Sequence, residues 1–191
     1  MAFVALLDAN VLYPAYLRDA LLRLAEAEVY QVRWSREILD EMSRNVLKNR
    51  PGLATQSVER LLGSMEEAFP DAMVEGHEPL IPAMTNDPKD RHVLAAAIRG
   101  RSDVIVTSNV RDFPPEACDP YDVDVQSPDE FLSYQWEIED PDYLLAVFER
   151  WAAHLKNPPL TLEELLATLA RVVPTFGEMA LEAVRERTPR Q

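Results

Sequence analysis

The sequence is poor in the residues that several common chemistries require. A single cysteine, Cys118, among 191 residues excludes an internal disulfide and any thiolate cluster for zinc. One unpaired cysteine is the usage of a reducing compartment, and a cytoplasmic protein is expected. The three histidines, His77, His92 and His154, are isolated from one another in sequence, and ordinary surface or packing roles are expected for them. Five glycines, with no GxxxxGK[ST] or GxGxxG pattern, leave no phosphate-cradling loop. No serine lies in a nucleophile-elbow motif. The N-terminal apolar run is short, with no basic start and no small-residue cleavage site, so neither a secretory leader nor a membrane span is expected.

Positive charge is missing from one long stretch. Between Asp112 and Glu149 there are twelve acids and no lysine or arginine, which accounts for most of the net charge of -14. A general nucleic-acid coat protein, which needs a cationic surface, is therefore excluded. A local basic face is not: six basic residues against four acids lie between Arg33 and Arg60, and Lys89, Arg91, Arg99, Arg101 and Arg111 follow. The acidic stretch is either a solvated loop region or a receptor for a basic partner segment.

What the chain does contain is a globular composition, 47% apolar and 27% charged. Apolar spacing predicts strands at Phe3–Leu7, Val29–Trp34, around "VIVT" and at Val123–Ser127. Helices are predicted from Pro14 onward, at 36–49 behind a Ser35 cap, at 55–68, and from Pro88 to a stop at Gly100 with Asp87 as cap. From about Pro128 the pattern is helical alone, with a "TLEE" capping box at Thr161–Glu164 and a second, "TFGE", at Thr175–Glu178. Strands alternating with helices predict an α/β domain with a mainly parallel sheet, here residues 1–136, followed by a helical extension, 137–191. In such sheets ligands gather beyond the carboxyl ends of the strands.

Asp8 ends the first strand at that edge, with Asn10 competing for the role of helix cap. Glu41 falls at the margin of the apolar face set by Ile38, Leu39, Met42 and Val46. Asp90 is expected at the third position of its helix, where an acid suits the exposed N–H groups. Asn109 and Asp112 follow the strand that ends at Thr107. Each residue has an ordinary explanation as cap, turn or solvated acid. Together they form a set of hard oxygen donors of the kind that Mg²⁺ or Mn²⁺ prefers.

The segments "LLDANVLY", "SREILDEMSRNVL" and "DPKDRHVLAAAIRGRSDVIVTSNVRDFP" resemble, in order and spacing, the successive motifs of PIN-domain ribonucleases. The resemblance covers roughly residues 2 to 130, and is nearest to the VapC-type toxins of toxin–antitoxin pairs, notably larger members with a C-terminal helical extension. It implies a three-layer α/β/α PIN-like domain and Mg²⁺- or Mn²⁺-dependent hydrolysis of RNA phosphodiesters. Matched residue by residue, Asp8, Glu41 and Asp90 are the first three catalytic and metal-binding acids. Asn109 stands where many members have a fourth acid, and Asp112 is the other candidate for it. Asn10 and Thr107 match supporting polar positions, and Arg91 and Arg111 are best placed in sequence to hold RNA phosphates. The resemblance also implies a VapB-like antitoxin partner and a homodimer, with no membrane association. The alternative is a catalytically weak PIN fold that binds RNA or protein, which the Asn109 substitution keeps open. Phosphatases of the HAD type are disfavoured because Asn10 occupies the position of their second carboxylate, and receiver domains because the acidic pair at the first strand is missing.

Overall fold

The computed structural model describes residues 3–187. Residues 1–2 and 188–191, the outer ends of the two expected divisions, lie outside the described residues. The chain forms two compact units: the residues up to Ala15 together with Tyr30–Ser127, and Tyr16–Val29 together with the residues from Pro128 on. Helix Pro128–Ile138, which a division after residue 136 would cut, belongs whole to the second unit.

In the first unit β1 (Val4–Leu7) runs into a one-turn helix, α1 (Ala9–Leu12). After α2 (Ala15–Glu26), which belongs mostly to the second unit, come β2 (Gln31–Ser35), α3 (Arg36–Asn49), α4 (Thr55–Ala68) and β3 (Met73–Val74). A 3-10 helix at Glu78–Ala83, α5 (Arg91–Arg99), β4 (Val104–Val106), a 3-10 turn at Val110–Asp112, α6 (Pro115–Cys118) and β5 (Asp124–Gln126) complete the unit. The five strands form one sheet in the order β3-β2-β1-β4-β5. Each pairing is parallel, with Leu6 opposite both Arg33 and Ile105. The parallel α/β class expected from the strand–helix alternation is the class observed.

Central strands of a parallel sheet are covered on both faces, so they read as continuous apolar runs. Ala5, Leu6 and Leu7 are fully buried, as are Val104, Ile105 and Val106. Helix α3 turns Ile38, Leu39 and Met42 inward, and α5 buries Val93 through Ala97. Trp34 packs edge-on against Phe69, with ring centroids 5.8 Å apart. Ser35 caps α3 through Ile38 N at 3.3 Å, as its position predicts. Gly76 adopts φ +71°, the left-handed region that glycine enters without strain, and turns the chain after β3.

The second unit is helical: α2, then α7 (Pro128–Ile138), α8 (Pro141–His154), α9 (Leu162–Leu169) and α10 (Pro174–Arg187). Trp151, Phe148 and Phe176 form its aromatic centre, and Leu17, Leu21 and Leu24 of α2 are buried. Arg23 of α2 lies over the Trp151 ring, 5.4 Å from its centroid. The Thr161–Glu164 capping box is present. The expected box at Thr175–Glu178 is not: α10 starts at Pro174, and Thr175 N and Phe176 N donate to the Asp129 carboxylate at 3.1 and 3.0 Å. A carboxylate distant in sequence does the capping, which local pattern cannot reveal.

Helices α9 and α10 meet where a Cβ added to Gly177 would stand 2.6 Å from Ala170 Cα and overlap its Cβ. Gly177→Ala is expected to lower unfolding free energy by about 1–3 kcal/mol. A urea melt followed by circular dichroism checks this, with Gly63→Ala, where a Cβ meets open space, as the tolerated control.

Candidate metal centre

Because the strands are parallel, the residues that follow β1, β2, β3 and β4 emerge at one edge of the sheet. Asp8 sits there, its backbone N–H continuing the β1–β4 ladder to Val106 O at 3.1 Å. Its side chain is almost wholly buried. Oδ1 accepts from Ala9 N at 2.6 Å, and Oδ2 accepts from Asn10 Nδ2 at 2.6 Å and from Thr107 Oγ1 at 2.7 Å. Asp8 is thus the cap of α1, contrary to the expectation that Asn10 would compete for that place. Asn10 instead ties the edge together: it donates to Thr107 Oγ1 at 2.9 Å and accepts from Ser108 N at 2.8 Å. Three of the roughly four acceptor positions of the carboxylate are used, which leaves one for a ligand.

Asp90 departs from its expected position. It is the N-cap residue of α5 instead of the third residue inside, and its side chain makes no capping bond. The reason lies one turn earlier, where Asp87 Oδ1 accepts from Lys89 N at 3.0 Å and Asp90 N donates to Asp87 O, closing a separate turn before the helix begins. Asp87 N also donates to Asp112 O at 3.1 Å, fastening this turn to the Val110–Asp112 turn. Glu41 is half-exposed on α3, and its Oε2 lies 3.8 Å from His92 Nε2.

The electrostatics show which groups share a field. Burial, then the charges of Asp8, Asp112, Asp87 and Glu41, push the Asp90 carboxyl up to about 6. Burial also raises Asp8, against the hydrogen bonds from Thr107 and Ala9; Glu41 adds to the rise. Burial lowers the His92 imidazole, while the nearby charges of Glu41, Asp8 and Glu37 oppose that shift. The charges of Asp8, Asp112, Asp87 and Glu41 thus all act on Asp90, and those of Glu41 and Asp8 on His92; sequence reasoning assigned Asp87 and His92 elsewhere. The signal for His92 was its place two residues after Asp90 at the start of one helix. Asn109 is exposed, its backbone N–H donating to Thr107 Oγ1 at 3.1 Å. Arg111 holds its guanidinium in solvent, 3.8 Å from Asp112, whereas Arg91 Nε is engaged by Asn86 O at 3.3 Å.

Among the described residues no three acidic, histidine or cysteine side chains stand close enough to form a closed metal cage. The donor chemistry nevertheless fits a hard divalent cation: carboxylate oxygens, mutually repelling, around one rigid buried member. Mg²⁺ typically takes one or two protein carboxylates and keeps several waters, so an open set suits it. Asp8, Glu41, Asp90 and Asp112 are the candidate residues to hold it.

Asp90 titrates near 6 in the folded chain against about 3.9 unfolded, so between those values the folded state binds more protons. This group's contribution to stability then falls as pH rises from about 4 to 6 and is flat above. Asp90→Asn removes that loss. Its melting temperature relative to the native chain is expected to be similar at pH 4 and higher at pH 7.5, both measured in EDTA. An offset that does not change with pH would contradict the assignment.

Comparison with known proteins agrees with this geometry. The model of the PIN domain family matches residues 4–111, and that of the VapC50 C-terminal domain matches residues 128–182. A protein of Mycobacterium tuberculosis named "Putative ribonuclease VapC50" is 40% identical over 109 residues, a stretch that spans 57% of this chain and 64% of the relative. No solved structure matches significantly. Among the described residues no helix is long and apolar enough to cross a membrane. With more than half of its length matched by that family model, and the site residues at the edge the sheet defines, the chain belongs to the PIN-domain family.

Proposed function

We propose that this protein is a Mg²⁺- or Mn²⁺-dependent endoribonuclease, the toxin of a VapBC-type toxin–antitoxin pair. The observation that carries the reading is the set of acids at one end of the sheet: Asp90, raised first by burial, also feels the charges of Asp8, Asp112 and Glu41. Four acids of like charge at one edge are unfavourable without a counter-charge, and nothing in folding alone requires them there. The name of the mycobacterial relative supports the same activity.

A divalent cation in this site supplies charge neutralisation at the scissile phosphate and lowers the pKa of water. The chain's own residues do the rest. Asn10 and Thr107 fix the Asp8 carboxylate, so it does not have to reorganise on ligand binding. Asp90, held partly protonated in the metal-free chain by burial and its acidic neighbours, would ionise on binding the cation and offer it a carboxylate oxygen. Asp112, rather than Asn109, is the fourth acid in this reading, since its charge acts on Asp90. Arg111, with its guanidinium in solvent, is the stronger phosphate contact, and Arg91 the weaker because Asn86 already engages it.

The same reading implies an RNA substrate in the cytoplasm, a VapB-like antitoxin and a homodimer. The acidic stretch Asp112–Glu149 suits a basic antitoxin segment by charge.

The test is cleavage of labelled structured RNA with Mn²⁺ or Mg²⁺, beside EDTA. Cleavage by the native chain is expected, with Asp8→Asn at the EDTA background. Thr107→Val should lose roughly 10–100-fold, as removal of an outer-shell partner usually does. Metal-independent cutting, or a fully active Asp8→Asn, would contradict the reading. Binding without cleavage across several RNAs would favour the non-catalytic alternative.

A further inference from the structure

The sequence leaves a local basic face open between Arg33 and Arg60, and the structure separates the engaged cations of that stretch from the available ones. Arg33 donates to Val32 O at 2.9 Å and to Gln31 Oε1 at 3.3 Å. Arg36 pairs with Glu66 at 2.6 Å, and Arg60 donates to Gln56 O and Ser57 Oγ of its own helix. Arg50 lies past the end of α3. Arg44 and Lys48 are left, both exposed and with no ion pair or side-chain hydrogen bond among the described residues. Arg44 stands on α3 one turn after Asp40 and Glu41, at spacings where helix ion pairs form, yet it pairs with neither.

We propose that Arg44 and Lys48 form a phosphate-binding track that leads the substrate strand along α3 away from the acidic centre, a proposal that rests on the ribonuclease reading. At about 3.6 residues per turn, Arg44 and Lys48 fall within about 60° and about 20° of Glu41 around the helix, so the three share one flank. That flank is the one turned to the centre, because Glu41 Oε2 lies 3.8 Å from His92 Nε2, in the first turn of α5. Along the axis the two cations stand about 4.5 Å and about 10 Å beyond Glu41, which is roughly one to three nucleotides of stacked strand.

This placement answers an electrostatic difficulty. A chain of net charge -14 whose reactive centre is built from acids repels a polyanion. The phosphates flanking the scissile one need counter-charge close by, since salt screens exposed charges beyond about 8–10 Å. Arg44 and Lys48 supply it on the Glu41 side, as Arg111 does beside Asp112. Lys48, in the last turn, also suits the α3 dipole, whereas Arg44 at mid-helix has no such role.

The experiment uses the full chain carrying Asp8→Asn, so that the probe is not cut, with Mg²⁺ and a fluorescent single-stranded RNA over about 50–200 mM salt. Adding Arg44→Gln with Lys48→Gln is expected to weaken binding roughly 10–100-fold at the low-salt end. It should also reduce the slope of log K against log salt by roughly 1.4, the counterions of two phosphates. Arg44→Gln alone, free of any dipole effect, should give about half of that slope change with an unchanged melting temperature. Lys156→Gln with Arg171→Gln, which removes the same charge from exposed positions of the second unit, should leave the slope as it was. Equal losses in the two double variants, a slope that Arg44→Gln does not change, or no RNA binding at all overturns the proposal. Binding of oligoglutamate that needs Arg44 and Lys48, with RNA binding that does not, also overturns it and assigns the face to an acidic protein segment. Metal-dependent cleavage with a KM that Arg44→Gln leaves unchanged would sink the track and leave the nuclease; salt-sensitive RNA binding that needs Arg44, without any cleavage, would do the reverse.

Discussion

The repulsion between carboxylates at one end of a parallel sheet is the constraint on which the rest of this site depends. Parallel strands bring the ends of β1 and β4 to a common edge, and Asp8 and Thr107 follow those ends directly. Burial and the neighbouring acids hold the Asp90 carboxyl near 6, so the site carries an unfavourable energy that a cation would relieve. The surrounding structure tolerates this because Asp8 is held by three donors and the Asp87 and Asp112 turns are tied by a backbone bond. A rigid buried acid with more exposed acids around it is the arrangement that the proposed open cation site requires.

Much of this was legible in the sequence because the cues were local. The apolar run ending in Asp8, the Ser35 cap and the Ala-rich helix after Asp90 each depend on neighbours within a turn or two, and helices α3 and α4 lie where periodicity places them. The failures share a physical cause. Asp90 shifted to the N-cap because Asp87 closes its own turn, a choice between two adjacent acids that residue type does not settle. Capping of α10 by Asp129 and the pairing of His92 with Glu41 are contacts between elements distant in sequence. Residues 16–29, whose pattern is an ordinary amphipathic helix, join a unit built from the other end of the chain.

The two units differ in what holds them and in what they offer. The first places Asp8 at the end of β1, where its charge and that of Glu41 act on Asp90 and His92. The second is an aromatic helical core, and its Arg187 is already engaged by Asp142 and Glu149.

Mn²⁺ binding to the metal-free chain, followed by electron paramagnetic resonance of the free ion together with the protons released, tests the central claim most directly. The account predicts saturable binding at pH 6 with release of about half a proton, as Asp90 is forced to ionise, and little release at pH 8. Absence of binding, or binding with the same proton release at both pH values, would contradict it.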